Sequence, residues 1–458
     1  MNVPETSGPG AASGGRRTWR VGTLTYTMGA LIVLFCWLLW GDFAYFLKDR
    51  SVKPTLKLLF KSVAAPDLVI GTMMGFVPQI LAVLLVPIVS YASDRHRGPR
   101  GRRIPFLLWP TPFIVVAMLG LGFSLPLGRA LHAALAGFGV SETTSIIVVI
   151  STCWMVFEIA SNVCNAIFYA LFNDVVPKAV MGRFIALFRM VTFVDGIVFN
   201  YFILGHAEQY FREIFCSVGL FYGVCFTAMC LKIKEGGYPP PPPRVATAGP
   251  LAPLATYLRE CFRQGYYVWY YVFVALIAVA MEPLTLFGLF FAKAIGLTMT
   301  RYGEAAALQM SLSFVLAFPI GWLVDKFHAV RVTAVALVIY AALALWVFLC
   351  VRDVEVYWWV VVFGGSSAGA VVTASTALNP IVLPKESFAQ HYGASSMVRL
   401  FGLSLTGPVC GWFFDAYGHQ YRYIYLAASV GSFFAFAVLL WIWARMRRYG
   451  GLNNYVAP

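Results

Sequence analysis

The chain has 458 residues, of which 60% are hydrophobic and only 12% charged, and its mean hydropathy is +0.75. A soluble protein of this size carries about a quarter charged residues, so 20 Asp and Glu cannot clothe a surface in water, and a water-soluble enzyme is excluded. The net charge of +14 lies between apolar segments and not in one patch. It reads as loops facing anionic headgroups and argues against a nucleic-acid partner.

Residues 1–20 read as a disordered cytoplasmic tail, rich in Gly, Ser and Ala and closed by Arg16, Arg17 and Arg20. The apolar run from Val21 to Phe46 is too long for a signal-peptide core and is expected to be the first spanning helix. Further apolar runs of about 20 residues follow, each able to cross a hydrocarbon layer of about 30 Å. The spans are expected as six in 21–231 and six in 266–445. Residues 232–265 form a cytoplasmic linker, in which Pro239 to Pro243 is a stiff extended spacer. Leu254, Tyr257, Leu258, Cys261 and Phe262 keep helical spacing there and fit either an interfacial helix or an ordinary loop. Residues 446–458 are a second cytoplasmic tail.

With both termini inside, most of the 34 Lys and Arg fall on the cytoplasmic side, as the positive-inside rule requires. Lys48, Arg50, Lys53, Lys57 and Lys61 dissent. Val52, Leu56, Leu59, Phe60 and Val63 form an apolar stripe opposite Lys53, Lys57 and Lys61, so a short amphipathic helix resting on the outer leaflet is expected there. The nine cysteines include no Cys-x-x-Cys, so neither a metal site nor a disulfide framework is indicated. The six histidines are scattered, and no catalytic constellation or cofactor motif emerges.

The halves look related. Ser90 to Arg95 is echoed by Gly321 to Lys326, each a small residue followed four positions later by Asp94 or Asp325 and then a base. Pro177-Lys178 before Arg189 is echoed by Pro384-Lys385 before Arg399. Two landmarks in the same order argue for two six-helix repeats. The stretch Ser93 to Leu107 sets Asp94 among Arg95, Arg102 and Arg103, and either anchors topology or forms a switch that opens as the halves rock.

Asp94-Arg95-x-Arg97 followed by Gly101-Arg102-Arg103-x-Pro105-Phe106 resembles the loop signature of the major facilitator superfamily, in the variant of glycoside-pentoside-hexuronide cation symporters and sucrose-proton symporters. Trp40-Gly41-Asp42-Phe43 is similar to the Gly-Asp-Phe of the first helix of the former group. The resemblance implies an all-α integral membrane fold of twelve helices in two pseudo-symmetric bundles. It also implies alternating access and a cavity lined by the first, fourth, seventh and tenth helices. The acidic pair of sodium-coupled relatives is missing between Asp67 and Asp94, which favours the proton over sodium as coupling ion.

Ionisable groups inside a bilayer are costly and mark function. Glu158, Arg189, Asp195, Glu282 and Arg399 are placed there, with Lys326 beside Asp325 at a helix end. Glu158, Ser161, Asn162, Asn165 and Tyr169 fall on one face of the fourth helix, a stripe that faces a cavity or an interhelical seam. Arg189 needs a partner, for which Glu158 and Asp174 are the candidates. Glu282-Pro283, Asn379-Pro380 and Gly364 to Ser367 are either gates and binding elements or kinks and close packing.

The expectation is a monomeric transporter of the cell (inner) membrane: a proton-coupled symporter of a small solute, a sugar or glycoside, working without cofactor, metal or catalytic residue. A carrier of organic anions or drugs is the alternative within the fold, and a non-transporting sensor the alternative outside it.

Overall fold

The computed structural model describes residues 18–238, 259–452 and 455–457. The tail up to Arg17 and the proline run lie outside them, as do Leu254, Tyr257 and Leu258. Of the expected interfacial helix, residues 259–262 are helical, and Cys261 there is buried.

The chain opens on an antiparallel hairpin and not on a spanning helix. Strands β1 (Thr18–Val21) and β2 (Leu24–Thr27) pair Thr18 with Thr27 and Val21 with Leu24. Gly22 supplies the positive φ of +53° that the two-residue turn demands, and the Thr, Val and Tyr around it favour strand. Thr27 then caps the first long helix by accepting from the Ala30 amide.

Among the described residues, twelve helices are long and apolar enough to cross a bilayer: α1 Met28–Ser62, α2 Asp67–Arg95, α3 Ile104–Gly122, α4 Glu142–Val175, α5 Lys178–His206, α6 Phe211–Lys232, α7 Gly265–Ala294, α8 Met299–Phe327, α9 Ala329–Cys350, α10 Val354–Val382, α11 Gln390–Ala416 and α12 Tyr423–Tyr449. At 1.5 Å per residue α1 is about 52 Å long, well beyond the hydrocarbon thickness. The expected outer amphipathic helix is therefore its continuation. Val52, Leu56, Leu59 and Phe60 are buried in protein, not laid on lipid, and Lys48 and Lys57 are buried with them. Two helices carry a π turn, Thr72–Phe76 in α2 and Phe199–Ile203 in α5.

The chain forms two compact units that do not follow a single cut of the sequence. The first takes in Met1–Ala64, Leu81–Phe199 and Ala207–Arg244; the second Ala65–Ile80, Asn200–His206 and Val245–Pro458. Inside the first unit α1 packs on α5 and α6, and α3 on α4 and α6. Inside the second, α7 packs on α11 and α12, and α9 on α10 and α12. The same four neighbour relations recur six helices later, which is the repeat in three dimensions.

Small residues set these approaches. In the first unit a Cβ on Gly41 would lie 2.4 Å from Met229 Sδ, so α1 and α6 meet closely there. In the second unit Gly71 and Gly75 cross Gly407 and Gly411 of α11. A Cβ on Gly71 would sit 2.1 Å from the Gly407 carbonyl oxygen, and one on Gly411 2.2 Å from that of Asp67. Two small-xxx-small steps face each other backbone to backbone. Asp415 closes this crossing by accepting from the amides of Asp67 and Leu68, 2.8 Å each, at the free end of α2. Asp67 in turn accepts from Tyr421 Oη at 2.7 Å and lies 2.6 Å from His419 Nδ1.

Candidate functional site

Glu158, Ser161 and Asn162 of the α4 stripe point into the first unit. Glu158 is 5% exposed and accepts from Asn162 Nδ2 at 3.1 Å, while the same amide donates to the Glu158 carbonyl at 2.9 Å. Asn165 and Tyr169, lower on the stripe, are exposed, and Tyr169 packs edge-on against Phe172 and Phe188. The stripe is thus half buried seam and half open face.

Across from it stands Lys48, whose charge the sequence counts among those on the outer side. Its ammonium donates to Ser161 Oγ at 3.0 Å and lies over the ring of Tyr45 at 4.0 Å, with Phe157 and Tyr222 at 5.0 and 5.3 Å. Tyr45 Oη donates to the Ser161 carbonyl at 3.3 Å, so α1 grips one residue of α4 twice. A buried ammonium is tolerated only with such partners. Glu158 and Asp49 act on Lys48 through their charge, and Asp49 holds Lys53 at 3.2 Å. The missed signal was spacing: carrying the stripe of Val52, Leu56 and Leu59 back four and seven positions reaches Lys48 and Tyr45.

Asp195 and Asp42 are both fully buried in the first unit, and none of their four carboxylate oxygens has a hydrogen-bond partner among the described residues. Because α1 runs on to Ser62, Asp42 sits in its middle and not near its outer end. Arg189 is exposed; neither Glu158 nor Asp174 bonds to it among the described residues, and the group that feels its charge is Tyr169.

Asp174 is taken by the loop between α2 and α3. Arg102 grips it with two parallel bonds, Nη2 to Oδ1 at 2.6 Å and Nε to Oδ2 at 2.9 Å. Arg103 donates to Asp174 Oδ2 at 2.9 Å, to Ser93 Oγ at 3.0 Å and to Asp94 Oδ1 at 2.5 Å. The hydrogen bonds that Arg102 donates to Asp174 hold its guanidinium further above its usual value. Arg95 stays outside this network, stacked on Tyr91 at 5.4 Å.

Glu235 completes it and was not foreseen, since it lies in the linker. Its carboxylate accepts from the amides of Arg102, Arg103 and Ile104 at 2.9, 2.8 and 2.7 Å, which caps the start of α3. Tyr238 Oη donates to it at 2.7 Å and covers Arg102 at 4.2 Å. Burial and the Glu235 hydrogen bond push the Tyr238 phenol up. Gly101 is required twice over, by its φ of +96° and by the 2.4 Å that would separate a Cβ from Glu235 Cδ.

The second unit carries no copy of this network among its described residues. Asp325 and Lys326 are exposed, and Lys326 rests on Trp322 at 4.7 Å. Arg399 is half-buried without an ion pair among the described residues. Glu282 is half-buried one residue before Pro283, through which α7 continues as helix, and its charge acts on Cys410. Asn379 accepts from Tyr270 Oη at 2.9 Å where α10 breaks. Gly365 lies against Gln309, so close packing of α8 and α10 explains that glycine. A cavity inside this unit is lined by Thr285, Tyr302, Gln309, Tyr340, Gly365 and Tyr425.

Residues 283–455 match the family model described as Major Facilitator Superfamily. No curated protein matches the sequence. Among solved structures, a bacterial homolog of the human lysosomal transporter Spinster is similar at 15% identity over 93% of this chain and 98% of that one, with a TM-score of 0.67. The nucleoside transporter NupG is similar at 12% identity over 90% and 98%, TM-score 0.61. A D-xylose-proton symporter is similar at 12% identity over 88% and 97%, TM-score 0.61. With twelve spanning helices, these matched structures and the matched model, the chain is an all-α integral membrane protein of the major facilitator fold.

Proposed function

We propose that the protein is a secondary active transporter, a monomeric proton-coupled symporter of a sugar or glycoside, working by alternating access in the cell membrane with both termini cytoplasmic. The observation that carries this reading is Glu158: a buried carboxylate on a polar stripe, hydrogen-bonded to Asn162 and within electrostatic reach of Lys48 and Lys53. A neutral solute needs hydrogen-bonding side chains and a titratable group whose charge changes between states, and α4 offers both. Similarity to a D-xylose-proton symporter adds support from the fold.

In this reading the two lysines do what Arg189 was expected to do. Their approach favours the ionised acid and expels the proton; their withdrawal favours the protonated acid. Counterflow in proteoliposomes, with a panel of mono- and disaccharides and with or without a pH gradient, is the test. Glu158→Gln should keep exchange down a solute gradient and abolish pH-driven accumulation. Uphill accumulation by Glu158→Gln, lost instead in Asp195→Asn, would move the coupling role to Asp195. Labelling of Ser13→Cys and Ala246→Cys in intact cells checks orientation, and reaction from outside would reverse it.

Lys48 favours a second reading, transport of an organic anion, because its ammonium has a serine hydroxyl and aromatic faces in place of a bonded carboxylate. Counterflow with sugar acids beside neutral sugars separates the two.

A further inference from the structure

The first turn of α2 meets the corner between α11 and α12, and three side chains with metal-ligating atoms converge there, all within the second unit. Asp67 Oδ2 lies 2.6 Å from His419 Nδ1, and Asp415 Oδ1 lies 3.9 Å from the same nitrogen. One ligand atom from each residue falls within 4.8 Å of the other two. Donors held about 2.0–2.2 Å from a tetrahedral ion stand about 3.3–3.6 Å apart. The separations here bracket that spacing, and a swing of the imidazole by about 1 Å reaches it. His419 is free to swing, since its side chain is 53% exposed, whereas that of Asp67 is 0% exposed.

The backbone aims the imidazole at this point. Gly418 and His419 follow the end of α11 with φ of +70° and +56°, and the His419 amide donates to the Phe414 carbonyl at 2.8 Å. The two carboxylates are oriented by groups outside the donor set. Asp415 accepts from the amides of Asp67 and Leu68, and Asp67 accepts from Tyr421 Oη at 2.7 Å. Such outer contacts fix ligand carboxylates, and each Asp415 oxygen keeps a lone pair. Charge points the same way. Two carboxylates and an imidazolium leave one negative charge over, with Asp67 sealed from water; two carboxylates, a neutral imidazole and a divalent ion balance.

We propose that Asp67, Asp415 and His419 form a binding site for a first-row divalent cation of the Zn²⁺ class, with water in the fourth position. The imidazole nitrogen selects such an ion over Mg²⁺ and Ca²⁺, which take oxygen ligands. The ion replaces the hydrogen bond between His419 and Asp67 and staples the first turn of α2 to the α11–α12 corner. The 352 positions between Asp67 and His419 hide the set from any reading of sequence spacing. The site binds its ion whatever the chain transports, so it stands or falls apart from the symport reading.

Full-length protein without a histidine tag, stripped with EDTA, is titrated with zinc chloride by calorimetry. About one ion per chain is expected, with affinity lowered at least about tenfold in His419→Ala and in Asp415→Asn. It should be unchanged in His206→Ala, an exposed histidine outside the cluster. His419→Ala removes only an exposed ring, which keeps the test independent of the amide cap that Asp415 supplies. Melting temperature should rise with zinc in the wild type and stay level in both site variants. Cobalt(II) should give the visible bands of a four-coordinate ion, without the near-ultraviolet band of a thiolate ligand, and zinc should remove them.

A wild type that takes up no zinc would overturn the proposal, as would equal zinc affinity in wild type and His419→Ala. A thiolate band on cobalt would move the ion to cysteine and overturn it too. So would displacement of zinc by equal calcium or magnesium, a preference that belongs to carboxylates acting without the imidazole.

Discussion

Lys48 on α1 donates to Ser161 Oγ on α4 at 3.0 Å, a contact between residues 113 positions apart that ties the start of the chain to its polar stripe. A buried ammonium bonded to a hydroxyl and not to a carboxylate carries a desolvation cost that an apolar side chain of similar volume does not. Lys48→Met should therefore leave thermal stability unchanged or raised, while transport falls by about tenfold or more. Lys48→Ala, which empties the space among Tyr45, Phe157 and Tyr222, should lower stability by about 2 kcal/mol. Melting curves of the two variants beside counterflow rates decide; a strongly destabilised Lys48→Met would mean that the ammonium is structural.

Glu235 is expected to be worth more than any surface ion pair in the molecule. Glu235→Ala strips three amides of their acceptor and should cost about 1–3 kcal/mol in denaturant unfolding. Glu235→Gln, which keeps one oxygen, should cost less. Gly101→Ala should approach the full loss through both its φ and its contact with Glu235. Equal stability of Glu235→Ala and wild type would remove the cap from the account.

Asp94 is half-exposed and shares Arg103 with Asp174 and Ser93, so Asp94→Asn should cost less than about 1 kcal/mol in stability. Its expected effect is on the cycle: slower translocation with solute affinity within a few-fold of wild type. Loss of binding at an unchanged translocation rate would show that Asp94 serves recognition.

Gly407→Val places methyl groups where the Gly71 carbonyl and the Gly75 backbone now lie and should destabilise the second unit by about 1–3 kcal/mol. Gly288→Ala in α7, where a Cβ meets nothing within 4 Å, is the matched control and should stabilise by about 0.5–1 kcal/mol. Similar melting of the two variants would mean that the glycine crossing is not tight in solution.

The twelve spans were legible because apolar length is set by the bilayer and leaves a run that no local exception hides. The start of the chain was not, since Val21 to Thr27 is apolar enough to join a helix but β-branched enough to pair as a hairpin around Gly22. Lys48 was misplaced for the same reason in reverse: hydropathy averages over a window, whereas burial of one charge depends on which face of α1 it occupies. The loop signature around Asp94 could be read, but Glu235 could not. Its partners are backbone amides, which have no signature in sequence, and they lie more than 130 positions away. Asp195 was read as intramembrane from its run and Asp42 from its motif; that both are fully buried without a hydrogen-bond partner among the described residues came into view only with the packed helices.

The π turn at Thr72–Phe76 makes α2 a helix with one residue too many for its pitch. An ordinary helix turns about 100° per residue, so removing Met73 would restore regular pitch and swing Asp67 to Gly71 by about that angle relative to Val77 onward. Gly71 would then leave Gly407, and the Asp67 amide would leave Asp415, with no side chain in either contact having been altered. A single codon of length in α2 thus sets the register of the crossing with α11. Length variants at this turn would be under tighter constraint than most substitutions around it.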